Sequence, residues 1–67
     1  MTCIAEIPKN SRETIRIEQT EYQGHQLANI RVWYQAEGGE MRPSRKGIAF
    51  KVECVPEVIS ALQKVVA

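Results

Sequence analysis

Between Met41 and Val52 the chain carries four cations, Arg42, Arg45, Lys46 and Lys51, and no acid. The densest part is the run Met41-Arg42-Pro43-Ser44-Arg45-Lys46-Gly47. Upstream, aromatic residues and cations interleave: Tyr22, then Arg31, Trp33 and Tyr34. Cations follow a phosphate backbone, and exposed aromatic faces stack splayed bases, each contributing about 1–3 kcal/mol. A duplex hides its base faces, so this composition points to a single-stranded nucleic acid. The same charges also suit a sheet edge, where Lys and Arg block edge-to-edge pairing. Trp33 also suits a core, and Tyr22 and Tyr34 an ordinary sheet surface.

Catalysis has little to work with. The chain has no aspartate, His25 is its single histidine, and no Gly-rich phosphate loop precedes a helix. Glu37 and Glu40 flank a turn, where carboxylates are solvated. Cys3 and Cys54 lie far apart, without the spacing of metal ligands. Neither enzymatic activity, nor a metal site, nor a cofactor is expected. Both cysteines read as small buried hydrophobes.

The elements that must position these residues belong to one small domain. At 67 residues, a chain buries only about 60% of the surface it exposes when unfolded. Such domains need a staple; two distant cysteines and a single histidine offer poor material for a disulfide or a metal, which favours self-association. The first residues lack the basic and apolar regions of a secretory signal. No run approaches the roughly 18 apolar residues of a membrane helix. The expected location is cytoplasmic and nucleoid-associated, with no membrane partner.

Ile4, Ile7 and Pro8 suggest an extended N-terminal arm over residues 1–12. From Glu13 the period is two, with Ile15 and Ile17 opposite Arg16, Glu18 and Thr20, which predicts a half-buried strand. Gln23-Gly24-His25 predicts a tight turn, and Leu27–Gln35 a second strand. After the turn Ala36–Glu40, Pro43 limits Met41-Arg42 to a short edge strand. Ile48–Val52 ends the sheet. Pro56 and Glu57 suit the first turn of a helix, and Val58, Ile59, Leu62, Val65 and Val66 recur at helical spacing. The fold class is therefore α+β, a four-stranded antiparallel sheet followed by one C-terminal helix. The helix's apolar positions are wide enough for two contacts, its own sheet and a second copy.

The run Ile30-Arg31-Val32-Trp33-Tyr34, a Gly-containing turn, then Gly39-Glu40-Met41-Arg42-Pro43-Ser44-Arg45-Lys46-Gly47-Ile48 resembles the transcriptional coactivator p15 (positive cofactor 4) family. The family pattern is approximately I-R-E-Y-W, an acidic turn, and G-E-M-K-P-G-R-K-G-I, and the spacing matches without a gap. The similarity covers about residues 13–66, within a domain drawn over 13–67, and points to a compact bacterial or phage-type member. The resemblance implies a homodimer of curved four-stranded sheets joined by their helices, with single-stranded DNA lying across the sheets. Arg31, Arg45 and Lys46 would hold phosphates, Tyr22 and Tyr34 would stack bases, and Gly47 would allow close backbone approach. Val58, Ile59, Leu62, Val65 and Val66 would join the subunits. RNA and the transcription machinery are the alternative partners.

Departures shift the expected binding. Two family lysines are Gln23 and His25 here, and a family arginine is Thr20; each lost phosphate contact lowers the salt slope. Arg42, Arg12 and Arg16 are the cations left to compensate, with His25 retained as a candidate contact. Tyr34 takes the family's tryptophan position, and Trp33 the neighbouring tyrosine position. A longer stretch between Ile48 and Pro56 suggests that the last strand extends to Cys54. In an unbroken strand Arg31 and Trp33 share a face, while Tyr34 points with Ile30 and Val32 to the other. A bulge would bring Tyr34 to Arg31; without one, Trp33 is the stacking residue.

Overall fold

The alternation that starts at Glu13 creates a strand with two unlike sides, and its neighbours repeat the pattern. In the computed structural model, which describes residues 2–66, four strands pair in chain order as one antiparallel sheet. They are β1 (Thr2–Pro8), β2 (Glu13–Tyr22), β3 (His25–Gln35) and β4 (Met41–Lys51), and α1 (Val55–Val65) follows. The sheet is curved and open.

β2 and β3 pair without a break from Tyr22↔His25 to Glu13↔Tyr34. The connecting turn is two residues, Gln23 and Gly24, both at positive φ (51° and 79°). Such primed turns match the right-handed twist of the strands they join. His25, expected in the turn, is therefore the first residue of β3, directly opposite Tyr22.

Three expectations about the sheet need correction. Residues 2–8 are extended, but as β1 they pair along β2 from Thr2↔Gln19 to Pro8↔Thr14, rather than standing apart as an arm. Met41-Arg42 and Ile48–Lys51 are not separate strands. Pro43 is accommodated inside β4, opposite Trp33, because β4 is an edge strand with no outer partner to need its missing N–H. The last strand stops at Lys51, and Val52–Cys54 form a 3-10 turn leading into α1. The count of four strands is right, with β1 supplying the one that the merged β4 removes.

The β1–β2 connection is built on Asn10, which the sequence reading passed over. Its Oδ1 accepts the backbone N–H groups of Arg12 and Glu13, both at 2.9 Å. The Glu13 carboxylate in turn accepts from Asn10 Nδ2 at 2.7 Å and Lys9 Nζ at 3.1 Å. These bonds hold the Glu13 carboxyl below its ordinary range, Asn10 being the larger cause and Lys9 the next.

The register sorts the side chains. Ile15 and Ile17 of β2, Ile30 and Val32 of β3, and Ile48 and Phe50 of β4 fall on one face. Thr14, Arg16 and Glu18 share the other with Trp33, Arg31 and Asn29. α1 starts on the apolar side, where Val52 and Val55 border a groove with Ile4, Ile17 and Ala28. The apolar face is nevertheless uncovered. No hydrophobic residue among the described ones is buried, and Ile48, Ile59, Leu62 and Val65 are 59%, 50%, 57% and 77% exposed. Cys3 and Cys54, expected inside, are both exposed.

Candidate nucleic-acid interface

The strands place five of the sequence candidates on the polar face: Tyr22, His25, Arg31, Trp33 and Gly47. Tyr22 and His25 form the pair at the hairpin end, and Tyr22 is 63% exposed. Six residues along β2 lie Arg16 and its partner Arg31, a distance of about 20 Å at strand rise. The aromatic platform and the guanidinium row thus mark the two ends of a track along the hairpin.

Trp33 shares Arg31's face because β3 runs unbroken past β2. Its ring is not an open platform. The Arg16 guanidinium lies 3.7 Å from the ring centroid, a cation–π contact that covers one side. Trp33 Nε1 is buried without a partner among the described residues, as is Asn29 Oδ1 on the far side of the Arg16–Arg31 pair. Tyr34 points the other way with Val32 and Ile30, opposite Glu13 and Arg42. The bulge that would have turned Tyr34 towards Arg31 lies instead in β4.

That bulge is the basic run. Gly47 is opposite Arg31 and Pro43 is opposite Trp33, so Ser44, Arg45 and Lys46 all face the single residue Val32. Extra residues on one strand bend it and push side chains outward, and Arg45 and Lys46 are both exposed. Ser44 pins the distortion: its Oγ donates to Val32 O at 2.8 Å and accepts the Lys46 N–H at 3.1 Å. Arg31 Nη1 donates to Ser44 O at 2.9 Å. Sequence reasoning missed Ser44, whose only signal was a hydroxyl where the p15 pattern has glycine.

Gly47 holds the other side of the bulge. A Cβ there would sit 2.7 Å from Ile30 O and 2.9 Å from Arg31 Cα. Only glycine lets β3 and β4 approach so closely at this row. Arg42 lies apart from the five. It pairs with Glu40 at 3.2 Å and sits opposite Tyr34 on the apolar side. Lys46 borders the apolar groove lined by Ile15, Ile30 and Ile48. Its charge also helps to lower the Glu13 carboxyl, the smallest of the causes. The bulge therefore stands at the rim between the two faces.

Of the five helix candidates, Val58 is half-buried, while Ile59, Leu62 and Val65 form an exposed stripe and Val66 follows the helix, also exposed. No cluster of metal-ligating side chains occurs among the described residues. No helix there is long and apolar enough to cross a membrane.

Comparison with known proteins fits this geometry. Residues 9–61 match the family Transcriptional Coactivator p15 (PC4). The chain belongs to the p15 (PC4) family. Membership carries a DNA-binding, regulatory role. Among solved structures, the chain is similar to BPSL1147, a PC4 homolog from Burkholderia pseudomallei K96243, in two crystal forms. In the tetragonal form identity is 27% and the TM-score 0.90, over 98% of this chain and 97% of that one. In the orthorhombic form the values are 28% and 0.88, over 96% and 86%. A bacteriophage T5 homolog of PC4, implicated in recombination-dependent DNA replication, shares the fold at 21% identity and a TM-score of 0.75, over 96% of this chain and 74% of that one. No curated protein matches the sequence significantly.

Proposed function

We propose that the protein is a homodimer that binds single-stranded DNA with little sequence preference, acting in transcription, repair or replication where duplex opens. The observation that supports this most is the polar face itself. Exposed Tyr22 and the Arg16–Arg31 row lie on one surface, beside a bulge that presents Arg45 and Lys46. In a PC4 family member, this arrangement supplies phosphate contacts along a track and an aromatic for bases that only a single strand leaves free.

Surface area supports the dimer. The chain exposes 5379 Å², against about 4,300 Å² for a compact monomer of its 7.6 kDa mass. Its Cα radius of gyration is 13.3 Å, where a compact chain of this length gives about 11 Å. The excess exceeds the roughly 800 Å² that each partner buries in a standard interface. The uncovered isoleucines and the Ile59–Leu62–Val65 stripe are where a second copy would fit.

The test is the double change Arg45→Ala with Lys46→Ala, titrated with fluorescent oligo-dT at several salt concentrations. Affinity should fall across sequences, and the log–log salt slope should flatten by about 1.4, or 0.7 per single-strand phosphate contact. Undiminished affinity at moderate salt would show that the bulge is not the grip.

A further inference from the structure

Across the middle of the polar face, one row crosses all four strands. Glu6 of β1, Arg16 of β2, Arg31 of β3 and Gly47 of β4 are successive partners. Two arginines thus stand directly opposite each other, and like charges so placed repel unless each is answered. Arg31 is answered by a backbone carbonyl, donating from Nη1 to Ser44 O. Arg16 is answered by a carboxylate: its Nη2 lies 3.0 Å from Glu6 Oε1.

We infer that Arg16 is a further phosphate-binding residue, and that Glu6 occupies its guanidinium as an internal stand-in for a DNA phosphate. The inference rests on the single-strand reading above and specifies one contact within it. Carboxylate and phosphate oxygens take the same guanidinium edge, ideally through two parallel N–H donors. Glu6 uses that edge incompletely. Nη2 is paired, but the adjacent Nε of Arg16 is buried with no partner among the described residues.

Position makes Glu6 the partner that yields. It lies on an edge strand with its side chain 52% exposed, whereas Arg16 is at 21%. An ion pair so exposed is weak and screened by salt, so a multivalent phosphate backbone competes well for the arginine. Arg31 beside it would share the incoming phosphate and relieve the like-charge contact. The Arg16 guanidinium also covers the Trp33 ring. A phosphate that draws it outward uncovers that ring face for a base. Glu6 and Arg16 together then act as a threshold on binding, set within the chain.

The experiment is fluorescence anisotropy of labelled oligo-dT against the full chain over a salt series. It compares the native protein, Glu6→Gln, Arg16→Met and the double variant. Methionine keeps an apolar stem over Trp33 while removing the charge. Glu6→Gln should bind about two- to fivefold tighter at low salt, the range set by exposed ion pairs. Its salt slope should steepen by about 0.7, one single-strand phosphate contact. Arg16→Met should weaken binding, and Glu6→Gln should bring no gain in the Arg16→Met background. Unchanged affinity in Glu6→Gln, or an equal gain in both backgrounds, overturns the inference while native binding to oligo-dT keeps the single-strand reading intact. Failure of every form to bind oligo-dT overturns both. Arginine-selective modification by phenylglyoxal, read by mass spectrometry on the native chain, needs no substitution. Oligo-dT should protect Arg16, and equal modification with and without it contradicts the assignment.

Discussion

The two faces of the sheet are made from the same strands yet have opposite chemistry. β3 alternates Arg31 and Trp33 on one side with Ile30, Val32 and Tyr34 on the other. One side is polar, with an arginine row and a paired carboxylate; the other is isoleucine and valine, and α1 starts on that side. On the proposed function, recognition and assembly are thus separated by a single residue of register. A slip of one position would exchange them, which is why the uninterrupted β2–β3 ladder matters to function.

The largest effect should come from the apolar side. Leu62→Glu places a charge in the exposed helical stripe, and burying a leucine contributes about 1.5–3 kcal/mol, or about 3–6 per symmetric dimer. With no hydrophobic residue buried within the described chain, loss of the partner should also lose the fold. Sedimentation should show monomer, and the cooperative thermal transition should disappear. A folded monomer would break the division of labour between the faces.

On the polar side, Tyr22→Ala should cost about 1–3 kcal/mol of single-strand affinity, one stacked base. Tyr34→Ala should cost clearly less, because Tyr34 shares a face with Val32 rather than Arg31. Equal losses would mean that DNA wraps the rim past the bulge, and the comparison would have to be redrawn.

Gly47→Ala should destabilise by about 1–3 kcal/mol, as overpacking does, since the added Cβ meets backbone on β3 at 2.7 and 2.9 Å. Thermal unfolding would read this directly. A neutral effect would show that β4 moves away freely at its bulge.

The smallest effect concerns Glu13. Its carboxyl is lowered in the fold, first by Asn10 and then by Lys9. A lowered folded pKa contributes stability above the unfolded value, about 4.3 for glutamate, and loses it as pH falls below that. Glu13 is exposed to solvent screening, so the effect should be slight. Glu13→Gln should flatten the decline in melting temperature between about pH 5 and pH 3 without changing oligo-dT affinity at neutral pH.

Much of this was legible in the sequence. Period-two alternation located β2, a β-rich run located β3, Pro56 and the 3.6 spacing located α1, and charge alone located the basic run that the p15 motif then matched. β1 was harder, because Pro8 ends it, Ile4 bulges out of register, and its pairing is with β2 rather than within itself. β4 was divided in the reading because Pro43 usually breaks a strand, and only the sheet's edge position permits it. Arg16 was noticed as a spare cation, but its two contacts could not be. Glu6 is ten residues away, and Trp33 lies across the hairpin. Cross-strand neighbours follow from register, which charge and spacing alone do not give.

The central claim is that the polar face takes single strands. It is tested most directly by titrating the protein with fluorescent oligo-dT, the matching RNA and a duplex of equal length over one salt series. Oligo-dT should bind clearly tighter than the duplex, with log affinity falling linearly as log salt rises. Duplex binding as tight as oligo-dT at every salt concentration would contradict the account.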